Sequence, residues 1–311
     1  MSDRKTRLLA LHGKGTSGRI MKTQIKPIVD VLGDVLEVHY MDGSELSAPY
    51  QGIESIFPKQ KYYAWYQQPT REALQLAHDR IAMRLSPSMA LALTPHEVQA
   101  GPFGASFLPQ AADLPTPPET PSIATPMSST DQAPKRRVSD DMAVALPKLG
   151  ETGRPWLPNP IAGMETPRSY PSTAGVRTPL DADFAPYDGL ICFSQGCAAS
   201  TGLLLALNAR LGCKAPLPVQ FVILICGGRP FEADGSMERV QSTKVTPIAI
   251  RSVHIHGLQD PNYEESKRLA CLYSDVHREV IELDIGHCPP RRTADVHLVA
   301  AAIRRTIAGL Y

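Results

Sequence analysis

Short apolar runs of strand length alternate along this chain with longer stretches in which apolar residues recur at helical spacing. Residues 7–11 are mostly apolar and end at His12-Gly13, which predicts a buried first strand. From 17 to 32, Ile20, Ile25, Ile28, Val29 and Leu32 share one helical face, and Gly33 supplies a stop. Residues 35–40 read as a second strand and 70–85 as a helix. Between them, 43–68 reads as irregular and aromatic-rich, with Tyr50, Phe57, Tyr62, Tyr63, Trp65 and Tyr66. Strands separated by helices predict a mostly parallel sheet covered by helices on both faces.

The pattern breaks from about 86 to 179, which holds seventeen of the chain's 29 prolines and much Ser, Thr and Ala. Such a composition buries too little apolar surface to offset the entropy of ordering it. Residues 86–150 are therefore expected to be a disordered insertion within one domain, 1–311. Neither flank makes a domain alone. Trp156 and the stretch 158–163 are candidates for docking on the body where the chain re-enters. Regular pattern then resumes: strands at 187–193, 219–226, 253–257 and 279–283, and helices at 195–211, 264–273 and 295–309. There is no internal repeat.

Composition narrows the class. A formal net charge of +1 gives no global electrostatic support for nucleic-acid binding. With 20% charged and 43% hydrophobic residues, the chain suits a globular protein with a substantial core. The first five residues run straight into a strand without a signal-peptide apolar region, and no apolar run reaches membrane-spanning length. Six cysteines, at 192, 197, 213, 226, 271 and 288, include no Cys-x-x-Cys pair. They read as free thiols in a reducing, cytoplasmic setting. No zinc-ligand spacing is present.

The chemistry is concentrated at Cys192-Phe193-Ser194-Gln195-Gly196, between a predicted strand and a predicted helix. A serine at such a corner is a candidate nucleophile elbow, although a serine before a helix also serves as a plain N-cap. The usual pattern has glycine where Cys192 stands. Asp260 and His287 follow, each just past its own predicted strand. Ser, Asp, His in that order at strand carboxyl ends is an acyl-transfer arrangement. Asp275 and Asp284 compete as acids, and His254, His256, His277 and His297 as bases. His254 and His256 alternate on a strand and read as space-filling.

At the first strand's end, Leu11-His12-Gly13-Lys14-Gly15-Thr16 offers the Lys14 N–H as one oxyanion donor, with the Gln195 N–H as the other. The alternative is a phosphate loop, since Gly13, Gly15 and Gly18 fit G-x-G-x-x-G. Lys135-Arg136-Arg137-Val138-Ser139 also matches what basophilic kinases accept.

On Leu9 to Gly13, Tyr187-Asp188-Gly189-Leu190, Phe193 to Gly196, His256 to Asp260 and Gly286-His287-x-Pro289, the chain resembles the fungal FSH-type serine hydrolases. These are relatives of the human ovarian-cancer-associated serine hydrolase. The resemblance spans 1–85 and 155–309. It implies an α/β-hydrolase fold, with Ser194 as nucleophile, Asp260 as acid and His287 as base. No metal or organic cofactor is implied. It further implies an ester or acyl-thioester substrate, presented in some relatives by the acyl-carrier domain of a polyketide synthase. A general carboxylesterase and a non-catalytic binding protein of the same fold are the alternatives. The aromatic stretch 50–66 lies where the family carries a cap, either lining an acyl pocket or packing the cap onto the body.

Overall fold

A computed structural model describes residues 4–86, 186–212 and 215–310. These lie within one unit assembled from Met1–Val98 and Arg177–Tyr311. The proline-rich stretch from 87 onward, with Ser139 and Trp156, lies outside the described residues, as does Cys213.

Apolar runs bounded by glycine and polar residues make six strands: β1 (Thr6–Leu11), β2 (Leu36–Met41), β5 (Gly189–Phe193), β6 (Phe221–Ile225), β7 (Arg251–Gly257) and β8 (Arg278–Leu283). They form one sheet in the order β2-β1-β5-β6-β7-β8, and every neighbouring pair is parallel. Period-two alternation splits the core into two layers. Leu9, Leu11, Leu190, Cys192, Val222 and Leu224 face α4 (Arg71–Leu85) and α5 (Gln195–Leu211). Leu8, Ala10, Ile191, Phe193, Ile223 and Ile225 face α1 (Gly18–Gln24), α2 (Lys26–Leu32) and α7 (Thr293–Ala308). Helices thus cover both faces of a parallel sheet, the α/β-hydrolase architecture the sequence predicts. At the sheet's amino edge, Asp188 takes both arms of Arg4, at 3.0 and 2.7 Å, and the Arg7 N–H at 2.7 Å. These bonds seat β1 beside β5.

The local differences have physical causes. The single helix expected over 17–32 is two, α1 and α2, because Pro27 has no N–H to give and fits only a first turn. Ile25 is the junction between them. The stretch expected to be irregular, 43–68, holds an antiparallel pair, β3 (Glu45–Ser47) with β4 (Tyr62–Ala64), and a short helix, α3 (Ile53–Ile56). The helix expected over 264–273 is α6 (Tyr263–Ala270), ending three residues early.

The chain leaves β1 outward to β2, then returns across β1 to β5. That reversal makes the carboxyl ends of β1 and β5 the walls of a crevice, where open parallel sheets hold their sites. The first wall carries Gly13-Lys14 and the second carries Ser194.

Candidate active site

Ser194 sits between β5 and α5 with φ 53° and ψ −118°, a sparsely populated conformation for a residue with a side chain. Such strain costs about 1–3 kcal/mol and persists only where surroundings enforce it. Here the Ser194 N–H donates to the Ile225 carbonyl of β6 at 3.0 Å, and the Ser194 carbonyl accepts from Cys197 N–H at 3.0 Å. Gly196 lets α5 press onto β1, since a Cβ there would meet the Leu11 carbonyl oxygen at 2.3 Å. Cys192 occupies the motif's first position without displacing this turn. It is fully buried among α5-facing residues, and burial pushes its thiol up to about 12.

From Ser194 a hydrogen-bonded chain runs through two further side chains. His287 Nε2 lies 2.8 Å from Ser194 Oγ, and His287 Nδ1 lies 2.8 Å from Asp260 Oδ2. The other Asp260 oxygen accepts the Asn262 N–H at 2.8 Å. Burial alone would raise the Asp260 carboxyl, but the His287 bond, the Asn262 N–H and the Cys226 thiol together hold it below its ordinary value. The imidazole packs against Phe193 and Tyr50, with ring centroids 5.2 and 6.0 Å away. Cys226 Sγ lies 3.8 Å from the carbonyls of both Gly286 and Cys288, the residues flanking His287.

The loop after β1 is set from beneath. His12 Nδ1 donates to the Gly13 carbonyl oxygen at 2.7 Å, and Thr16 Oγ1 donates to the same oxygen at 2.7 Å. His12 Nε2 accepts the Gly43 N–H at 2.9 Å, so both ring nitrogens fit one neutral tautomer. Burial lowers the His12 pKa, which agrees. In a trans peptide the N–H points opposite to the carbonyl. Anchoring the Gly13 oxygen inward therefore turns the Lys14 N–H outward. None of the hydrogen bonds among the described residues uses that N–H. Gln195, the first residue of α5, has an N–H with no helical acceptor. Lys14, Ser194, Gln195 and His287 line one cavity of about 360 Å³.

A strained serine, a histidine and a carboxylate joined in line, near the Lys14 and Gln195 N–H groups, are the kinds of group that acyl transfer requires. The sequence matches the family model described as Serine hydrolase (FSH1) over residues 1–103 and 149–299. The chain belongs to the FSH1 serine hydrolase family.

Among its relatives is "Esterase FPY3" of Fusarium mangiferae, 28% identical over 133 residues, or 40% of this chain and 59% of that protein. Another is "Thioesterase FSL2" of Gibberella zeae, 30% identical over 127 residues, or 37% of this chain and 48% of that protein. The chain thus spans about half to three-fifths of the length of these curated relatives. A carboxylesterase structure from Mesorhizobium loti aligns over 97% of this chain and 89% of its own, at 12% identity and a TM-score of 0.46.

For this FSH1-family chain, the five residues expected at the site, Ser194, Asp260, His287, Lys14 and Gln195, lie together. The competing acids and bases do not enter the hydrogen-bonded chain. Asp284 accepts from Gln259 at 2.6 Å, and His254 and His256 are buried under α6 and Tyr273. The phosphate-loop alternative loses its donors. Gly18 N–H is taken by Asp42 at 2.7 Å and Ile20 N–H by Ser17 at 3.2 Å. The aromatic stretch divides: Tyr66 lines the cavity and Tyr50 touches His287, whereas Tyr62 packs with Ile20 and Ile53. Sequence reasoning missed the anchoring role of His12, the thiol of Cys226, and Arg239, which lines the cavity. Only His12 carried a signal, as part of His12-Gly13. Among the described residues, no helix is long and apolar enough to cross a membrane.

Proposed function

We propose that the chain hydrolyses esters or thioesters through an acyl-enzyme at Ser194. The observation that carries this reading is the unbroken 2.8 Å and 2.8 Å path from Ser194 through His287 to Asp260. His287 Nε2 takes the Ser194 hydroxyl proton as Oγ attacks the substrate carbonyl carbon. The carbonyl π pair moves onto oxygen, where the Lys14 and Gln195 N–H groups hold it. Collapse reforms the carbonyl and expels the alcohol or thiol, which takes the proton from His287. Water, deprotonated by the same imidazole, then releases the acid and restores the serine. Asp260 fixes the imidazole tautomer and balances its charge while it is protonated. The reaction closes on these groups and water, without a metal or organic cofactor.

The substrate is a small ester or an acyl thioester. The thioester form, presented by an acyl-carrier domain of a polyketide synthase, is supported by the thioesterase-named relative and by the family resemblance. Hydrolysis rates for p-nitrophenyl acyl esters and acyl-N-acetylcysteamine thioesters test this. A thioester preference supports carrier-bound substrates, and an ester preference favours a general carboxylesterase. Turnover that survives Ser194→Ala sinks the mechanism.

A further inference from the structure

Beyond the reacting groups, the cavity carries a cation that the mechanism does not use. After β6 the chain forms a hairpin in which Phe231 pairs with Arg239. The Arg239 guanidinium carbon lies 3.8 Å from the Phe231 ring centroid, and the Phe231 ring meets Tyr66 edge-on at 6.1 Å. Arg239, Phe231 and Tyr66 line the same cavity as Ser194 and His287.

Glu265, which lines the same cavity and whose charge acts on Arg239, is already committed. Glu265 receives Arg229 on both oxygens, at 3.0 and 2.9 Å, and Arg268 on one, at 2.9 Å. Those bonds, Arg229's first, hold its carboxyl down to about 2. Arg239 itself donates one N–H to the Arg229 carbonyl, and its other N–H groups have no partner among the described residues. Two guanidinium groups thus hold the Glu265 carboxylate, and Arg239 feels its charge without a hydrogen bond to it. The Arg239 charge is also poorly solvated, since burial lowers its pKa. A planar fork fixed on an aromatic face, short of an anion, is built to take a carboxylate in two parallel hydrogen bonds.

We propose that Arg239 forms a carboxylate subsite, so that the preferred substrate is an ester or thioester whose acyl chain ends in a second carboxylate. This rests on the serine hydrolase reading. Tyr66 and Phe231 line the path for the methylene chain, and Arg239 takes its terminus.

The test compares monoethyl succinate, glutarate and adipate with ethyl butyrate, valerate and hexanoate, following ethanol release. In the wild type, at least one hemi-ester is expected to exceed its neutral partner by about tenfold in kcat/KM, the worth of a hydrogen bond to a charged group. Arg239→Gln is expected to remove that ratio, and Arg239→Lys to keep part of it. A merely structural role lowers both rates together and leaves the ratio standing. No preference in the wild type, or a ratio unchanged in Arg239→Gln, overturns the subsite. If ethyl esters are not turned over, adipate should slow fluorophosphonate labelling of Ser194 in the wild type but not in Arg239→Gln. Equal protection, or none, overturns it. Failure of Ser194 to label at all overturns the hydrolase reading instead. Adipate titrated calorimetrically into wild type and Arg239→Gln then decides the subsite alone: equal heats, or none, overturn it.

Discussion

His12 holds the Gly13 carbonyl oxygen at 2.7 Å, and across that peptide plane the Lys14 N–H points the opposite way, on a residue that lines the cavity. On the proposed mechanism the histidine is a positioning residue, acting through the Gly13–Lys14 peptide and not on the substrate. His12→Phe keeps an aromatic ring, slightly larger than the imidazole, and loses the hydrogen bonds to Gly13 and Gly43. The expected result is a fall in kcat of about 10–100-fold with KM little changed, because one oxyanion donor is misaimed while the cavity stays. Steady-state kinetics with a circular-dichroism check reads this. A rise in KM at constant kcat contradicts it.

Gly13 packs against Ser194, with a Cβ built there coming within 3.0 Å of Ser194 Cβ and 3.1 Å of the Phe193 ring. Gly13→Ala must push the loop or the serine by a few tenths of an ångström. The account expects kcat/KM to drop by about tenfold, as small misplacements at a reacting centre do. Unchanged kinetics would show that the loop is not part of the machinery.

Cys192 raises the question of whether the missing motif glycine limits catalysis. Ser194 already holds the elbow conformation, so Cys192→Gly should bring no gain in kcat. It should instead lower stability by about 1–2 kcal/mol, through a small cavity and added chain entropy. Thermal denaturation and kinetics on one preparation decide it. A tenfold rise in kcat would mean that the thiol crowds the elbow.

Acid should destabilise the fold through buried histidines. Burial pushes His78 down to about 4 and His254 down to about 3, against an ordinary value of 6.5 in the unfolded chain. Between those values the unfolded chain binds more protons, so stability falls as pH drops below about 6.5 and levels off below about 3. His254 Nε2 has no hydrogen-bond partner among the described residues. His254→Phe should therefore reduce the slope of stability against pH in that window, by up to about 1.4 kcal/mol per pH unit. Denaturant melts across pH 4 to 7 check this, and identical slopes refute it.

The side chain of Gln195 has a task separate from its backbone. Its Oε1 accepts the Trp65 N–H at 3.0 Å and its Nε2 donates to the Tyr66 carbonyl at 2.7 Å, tying the cavity wall to the helix start. Gln195→Ala keeps the backbone N–H. It should raise KM several-fold while kcat stays within about threefold, the pattern of lost ground-state positioning. A kcat loss of about 100-fold would reassign the side chain to the chemistry.

The places of Ser194, Asp260 and His287 were legible because each lies within four residues of the end of a strand that its own sequence pattern announces. The same patterns made the parallel sheet legible. The α1–α2 break was hidden because Ile28, Val29 and Leu32 continue the helical spacing across Pro27. The β3–β4 pair was hidden because three-residue strands carry too little alternation to read. Arg239 could not be seen at all: its place depends on a hairpin that brings it back to Phe231, eight positions earlier, without any periodic pattern.

The central claim is that Ser194 is a nucleophile activated by His287. Fluorophosphonate labelling followed by mass spectrometry of the peptide carrying Ser194 measures this most directly. The account predicts one adduct, on Ser194, lost in Ser194→Ala and slowed by about a thousandfold or more in His287→Ala. A folded protein that takes no label, or takes it elsewhere, contradicts it.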